Sequence, residues 1–321
     1  MLGFLIRRLG GAIATWFAVL TLLFFLFRLL PADPASLILD PKMTPEARDL
    51  LRRQFGLDRP LHLQYFLYLG NLLQGNFGVS FQTGRPVLET IVERLPPTLL
   101  LFTTASVLSF VLGAWCGRII AWRRGSLLEG ALVLVGLSLY TVFLPWFGML
   151  ILWIFAFQLK LFPLGGMLSP EVWIGEAGVI SKALDLLHHL VLPLAVLTAT
   201  MFAGSMLVMR ASLLEILPEQ YIMAARAKGL PERIVRDRHA ARNALLPLIT
   251  SFALSLAFSM GGGVLTETVF SWPGLGSEIV KAVVSQDFPM AQAAFLFLAG
   301  VVILANLIAD LLYGYLDPRV R

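Results

Sequence analysis

Glu219-Gln-Tyr-Ile-Met-Ala-Ala-Arg-Ala-Lys-Gly229-Leu-Pro-Glu-Arg-Ile234 lies inside a basic stretch, 212–246, that separates two long apolar runs. Glu219 to Lys228 is rich in good helix formers. Tyr221, Ala224, Ala225 and Lys228 recur at i, i+3, i+4, i+7, so they share one helical face. Two alanines at its centre make that face flat, and another surface can approach the backbone closely. Gly229 is placed to end the helix in a left-handed conformation. Pro231 and Glu232 suit the first turn of a second helix. The expectation is a helix–turn–helix elbow, closed by Leu246-Pro247 where the next apolar run begins. Two readings stand side by side: a basic loop held at lipid head groups, or a docking surface for a cytoplasmic protein.

The flanking sequence is that of a membrane protein. Of the 321 residues, 58% are hydrophobic and only 14% charged, against about a quarter charged in soluble domains. The mean hydropathy is +0.80. A helix needs about 20 apolar residues to cross a bilayer core, and six stretches qualify: Leu9–Leu30, Thr98–Ala121, Leu137–Gln158, Leu190–Met209, Leu248–Thr266 and Met290–Leu312. The run Leu127–Gln158 is too long for one crossing and short for two, and Pro145 interrupts it.

Charge parity resolves that run. With the N-terminus inside and six crossings, the inner side holds 14 of the 25 Lys and Arg and 7 of the 20 acids. A seventh crossing would put the basic stretch outside, against the tendency of Lys and Arg to stay cytoplasmic. Leu127–Gly136 is therefore expected as a short interfacial helix. Arg7 and Arg8 ahead of Leu9–Phe27 resemble a secretory signal, but the apolar run exceeds the usual signal core, so an uncleaved first span is expected. Both termini are expected in the cytoplasm, with the tail at 314–321. Residues 31–95, with seven basic and seven acidic residues, are expected as a small external subdomain, containing a helix over Thr44–Leu57 capped by Thr44. Residues 96–313 would form the membrane core.

Residues suited to catalysis are scarce. The sequence contains no Gly-x-x-x-x-Gly-Lys-[Ser/Thr] phosphate loop, so this chain is not itself an ATPase. Cys116 is alone, which rules out an intrachain disulfide. Adjacent His188 and His189 point to different helix faces, so no metal site is expected. The net charge of +5 fits cytoplasmic loops better than nucleic acid. Gly261, Gly262 and Gly263 permit close packing or a break beside a cavity. With Asn306 and Asp310 they are candidates for lining a translocation pathway; Asp310 is equally suited to an inter-helix contact.

The elbow resembles the Glu-Ala-Ala…Gly…Leu-Pro loop of ATP-binding-cassette importer permeases, at Ala224-Ala225, Gly229 and Leu246-Pro247. Ala225–Leu230 (Ala-Arg-Ala-Lys-Gly-Leu) and His239–Pro247 are similar to the dipeptide/oligopeptide permease family, first permease type. So are Gly56–Pro60, Gly75–Gly78, Glu267–Gly276 and Leu316–Arg319. One departure is plain: Met223 stands where the general motif has Glu. The resemblance implies the all-α, six-helix fold of type I importer permeases in a bacterial or archaeal inner membrane. It implies that Tyr221, Ala224, Ala225, Lys228, Gly229 and Leu230 belong to a coupling helix docking on a cytoplasmic ATPase. It further implies a second permease, two ATPases that use ATP and Mg, and an external substrate-binding protein, with no cofactor in this chain. Peptides head the expected substrates; nickel chelates, glutathione and oligosaccharides travel on the same scaffold. A self-sufficient secondary transporter would show inverted repeats around midplane ionisable groups, which this sequence lacks.

Overall fold

The computed structural model describes residues 2–29, 59–174, 178–245, 247–249, 251–252 and 263–316. The described residues are helical and contain no strand; one isolated antiparallel bridge pairs Val79 with Pro86. In chain order the helices are α1 (Leu2–Arg28), α2 (Leu61–Leu73), α3 (Val87–Trp122) and α4 (Leu127–Thr141). Then come α5 (Leu144–Ile151, continued by a π-helical stretch Leu152–Gln158), α6 (Pro170–Ile174) and α7 (Val179–Ile216). They are followed by α8 (Gln220–Ala227) and α9 (Glu232–Ile234, continued by a π-helical stretch Val235–Ala240). The last are α10 (Val264–Val269), α11 (Leu275–Val284) and α12 (Phe288–Leu316).

Among the described residues four helices are long and apolar enough to cross a membrane: Ile6–Arg28, Val87–Trp122, Val179–Ile216 and Phe288–Ile308. They contain the expected second and fourth spans and overlap most of the first and sixth. Leu127–Thr141 and Leu144–Gln158 meet at 105° and make a fifth crossing if counted together. Most of the expected span Leu248–Thr266 lies outside the described residues, as do Thr44–Leu57, Gly261, Gly262 and Leu246.

The third crossing differs from the expectation. The helix starting at Leu127 does not stop at Gly136 but runs on to Thr141. Gly136 is a packing residue: a Cβ there would lie 3.3 Å from the Ala203 Cβ and 2.8 Å from the Met206 Cε of α7. The chain turns instead at Val142 and Phe143, both extended. Pro145 then occupies the first turn of α5, where its missing N–H costs nothing. The proline opens a helix rather than interrupting one. Likewise α3 begins at Val87, inside the stretch read as external, and carries Pro96 and Pro97 within it.

α3 and α7 form the seam of the core. Gly113 and Gly117, four residues apart, let the two backbones touch. A Cβ on Gly113 would lie 2.6 Å from the Phe202 carbonyl oxygen, and one on Gly117 2.4 Å from that of Met206. This is the small-xxx-small packing of membrane helices, where lipid supplies no hydrophobic drive and close van der Waals contact must do so. On the other flank, Leu20, Leu23 and Phe27 of α1 share the main core with Ala291, Ala294 and Leu298 of α12. Outward faces stay apolar, as on Ile13, Val111 and Leu134.

Candidate functional site

The elbow follows directly from α7. Glu219 is the N-cap of α8, and α8 ends at Ala227 with Lys228 as its cap. Gly229 has φ +75°. Its N–H donates to the Arg226 carbonyl at 2.9 Å and the Leu230 N–H donates to that of Ala225 at 3.4 Å. Those two bonds are a Schellman cap. Leu230 also packs in the cluster that contains Ala225. Pro231 is the N-cap of α9, and Glu232 lies in its first turn.

The face of α8 is partitioned differently from the sequence expectation. Ala225 is buried, together with Ile222, in a cluster with Met209 and Leu213 of α7 and Val235, Ala240, Ala244 and Leu248. Burying Ile222 alone contributes about 1.5–3 kcal/mol. Tyr221, Ala224, Lys228 and Gly229 point outward, with Met223 54% exposed between them. The flat accessible surface is therefore centred on Ala224, while Ala225 fastens the helix to its own chain. Tyr221 adds a polar tether: its hydroxyl accepts from Asn243 Nδ2 at 2.8 Å.

Charged groups tie the elbow to α3. Asp237 accepts from Arg236 at 2.7 Å and lies 3.5 Å from Arg118 of α3. The Arg236 hydrogen bond, aided by the charges of Arg118 and Arg233, holds the Asp237 carboxyl below its ordinary range. Arg226 pairs with Glu232 at 3.0 Å and lies 5.5 Å from the ring centroid of Trp122, the last residue of α3. Beside it, Arg210 of α7 donates to Glu129 of α4 at 2.7 Å. Ser126 caps α4 by accepting from the Glu129 N–H at 3.3 Å. The elbow is thus joined to α3 and to the end of α7, and α7 in turn to the start of α4. The Ser126-x-x-Glu129 spacing of a capping box was present in the sequence; the Arg210 partner was not.

The pathway candidates do not form one group. Gly263 lies against Phe102 of α3: a Cβ there would meet the ring at 1.7 Å. Asn306 and Asp310 line a cavity of about 620 Å³ with Arg7, Arg8 and Thr15, between α1 and α12. Asp310 accepts from Arg8 at 2.8 Å, which makes it an inter-helix tie. The histidines also act separately. His188 Nε2 meets the Leu161 carbonyl and His189 Nδ1 that of Asp185, each at 2.9 Å.

A second constellation escaped sequence reading. The fully buried Glu267 receives Thr98 Oγ1 at 2.6 Å and the Ser277 N–H at 2.8 Å. The Gly276 N–H adds a third bond. Thr98 Oγ1 accepts in turn from the Leu275 N–H at 2.7 Å. The Glu267 side chain therefore caps α11. Gly274 leaves it room, since a Cβ there would lie 2.2 Å from Glu267 Cδ. Buried Trp272 donates to the Pro97 carbonyl at 3.0 Å. The Glu267–Gly276 segment is a lock between α3 and α11.

Residues 94–321 match the family model described as binding-protein-dependent transport system inner membrane component, and residues 1–102 match the model for the N-terminal part of such components. The di/tripeptide transport system permease protein DppB of Pseudomonas aeruginosa is 38% identical over 340 residues, covering 100% of this chain and 99% of its own length. The dipeptide transport system permease protein DppB of Escherichia coli is 34% identical over 336 residues, with the same coverage. The oligopeptide transport system permease protein AppB of Bacillus subtilis is 36% identical over 325 residues, covering both chains fully.

Proposed function

This chain belongs to the family of binding-protein-dependent transport system inner membrane components, and on that footing we propose that it is the permease subunit of an ATP-driven peptide importer. Relatives named for dipeptide, di/tripeptide and oligopeptide transport support the substrate class. The chain is a multi-pass membrane protein; it pairs with a second permease, and two ATPase subunits bind ATP and Mg on the cytoplasmic side. An external binding protein delivers the peptide to the opposite face.

One observation carries the mechanism. The α8–α9 elbow is anchored from behind by buried Ile222 and Ala225 and is flat and open in front at Ala224. A partner ATPase that grips this surface moves a rigid lever. Arg118–Asp237 and the Trp122–Arg226 contact pass that motion to α3, and the direct connection passes it to α7. Because α3 and α7 touch backbone to backbone at Gly113 and Gly117, they move as one body, and the permease alternates between inward- and outward-open states.

The test is uptake of a labelled peptide and ATP hydrolysis by the assembled importer in proteoliposomes. Ala224→Glu is expected to lower uptake at least ten-fold and to abolish the stimulation of hydrolysis by loaded binding protein, with the complex still folded. Normal uptake and stimulation in both Ala224→Glu and Lys228→Glu overturns the assignment.

A further inference from the structure

The end of the bundle opposite the elbow carries a cavity that the coupling geometry leaves unused. It measures about 340 Å³ and is lined by Arg28, Tyr68, Asn71, Asn76, Phe288 and Gln292, among others. Its polar wall is made of donors. Among the described residues no carboxylate pairs with Arg28, whose guanidinium lies 5.8 Å from the Phe24 ring centroid. Asn76 Oδ1 accepts from the Gly78 N–H at 3.0 Å, which leaves its amide hydrogens to donate. Gln292 Nε2 is shielded from solvent with the Tyr68 hydroxyl as its neighbour. The nearby acid, Asp287, does not line the cavity; it is engaged by Ser80 Oγ and by the N–H groups of Phe81, Gln82 and Met290. A guanidinium beside the amide groups of Asn76 and Gln292 suits this wall to an anion.

Below it, a second cavity of about 270 Å³ has apolar walls from Trp16, Phe77, Leu296, Phe297, Gly300 and Leu304. Phe77 lines both cavities. On α12 the two form one stripe: Phe288, Gln292, Leu296, Gly300 and Leu304 follow at every fourth position. Sixteen residues at about 1.5 Å each give a length of about 24 Å. One leaflet, head group included, is about 20–22 Å deep. Gly300 forms the floor of the groove opposite Trp16, where a Cβ would just reach the indole at 3.5 Å from Nε1.

We propose that this stripe holds one anionic glycerophospholipid, its phosphodiester at Arg28, Asn76 and Gln292 and one acyl chain running past Phe77 along Leu296, Gly300 and Leu304. The polar pocket supplies positive charge that no carboxylate among the described residues pairs with, and the apolar groove continues from it at the depth of a chain. In the six-crossing orientation the lipid comes from the outer leaflet; the site itself does not depend on that orientation.

Native mass spectrometry of the assembled importer, delipidated stepwise and re-exposed to phosphatidylglycerol, tests this. The unmodified complex is expected to keep one phosphatidylglycerol after bulk lipid is removed. Arg28→Gln should cut that retention about ten-fold, and Arg28→Lys should largely restore it. Gly300→Phe should remove it with the head-group pocket intact; if that variant fails to assemble, Leu304→Glu reads the same groove. Equal retention in all variants overturns the proposal. So does displacement by inorganic phosphate with Gly300→Phe without effect, which marks a phosphate pocket. Cross-linking of Leu304→Cys to the second permease in place of a photoactivatable phospholipid marks a subunit interface, and likewise overturns it.

Discussion

Arg8 in the second turn of α1 and Asp310 near the end of α12 stand 302 residues apart in sequence and 2.8 Å apart in space. The first and last membrane helices are therefore antiparallel, with the start of one beside the end of the other. If each crosses the bilayer, the number of crossings is even. Cysteines introduced at Gly3 and at Asp310, in a Cys116→Ala background, should react with a membrane-impermeant thiol reagent only in inside-out vesicles. Labelling of the two sites from opposite sides would defeat the six-crossing orientation. Removing the ion pair itself with Asp310→Asn should change stability by no more than about 1 kcal/mol, because both side chains are partly exposed.

Ala224 and Ala225 should separate coupling from folding. Ala225→Glu places a charge in the buried cluster of Ile222 and Leu213. It should destabilise the elbow by several kcal/mol, read as rapid proteolysis within 219–245. Ala224→Glu should leave the proteolysis pattern unchanged while transport fails. Equal proteolysis of the two variants would remove the distinction.

The Asp237 carboxyl is held below its ordinary value of 3.8. An acid whose pKa is lowered on folding stabilises the fold fully above its unfolded pKa and loses that contribution as pH falls through its folded pKa. The Asp237 link to Arg236 and Arg118 is therefore intact at neutral pH and weakens below about pH 3.8. Hydrogen exchange in Val235–Ala240 should accelerate in Asp237→Asn at neutral pH. It should gain little further on acidification, whereas the unmodified protein accelerates only in acid. Identical pH profiles would show that Asp237 is not the tie.

Glu267→Ala should be among the more damaging single changes outside the seam. It leaves the Thr98 hydroxyl and the Ser277 and Gly276 N–H groups without their acceptor, at a cost on the order of 3 kcal/mol or more. Thermal unfolding in detergent reads this, and Gly274→Ala should approach the same loss by displacing the carboxylate. A Glu267→Ala protein as stable as the unmodified one would contradict the lock.

At the seam, Gly117→Leu should prevent α3 from closing on α7. Overpacking costs about 1–3 kcal/mol in forgiving sites, and here the first atom met is backbone, the Met206 carbonyl at 2.4 Å. Failure to assemble with the second permease is the expected readout, and normal assembly would contradict the seam.

Local features were legible in the sequence and long-range ones were not. Gly229 and Pro231 could be placed because helix caps depend on neighbours within one turn. The faces of α8 were half legible: periodicity groups Tyr221, Ala224, Ala225 and Lys228 but does not say which flank meets the chain's own core. Ile222, three residues before Ala225, was the sign that this flank turns inward. Pro145 marked the break in the run Leu127–Gln158, but a proline reads alike as the end of one helix or the opening of the next, so which helix it belongs to was not legible. Gly113 and Gly117 carried a small-xxx-small spacing in plain view. Glu267 opened a family-like segment, but its pairing with Thr98 had no signal, since the two lie 169 residues apart and no period connects them.

That separation has a consequence for how the protein is made. Thr98 lies in the second crossing, and 169 residues must be synthesised before Glu267 exists to receive its hydrogen bond. At about 5–20 residues per second, this wait is on the order of 10–30 s. For that time the second crossing is in the bilayer with neither Glu267 nor Trp272 to hold it. The lock therefore closes late, after most of the chain has been made.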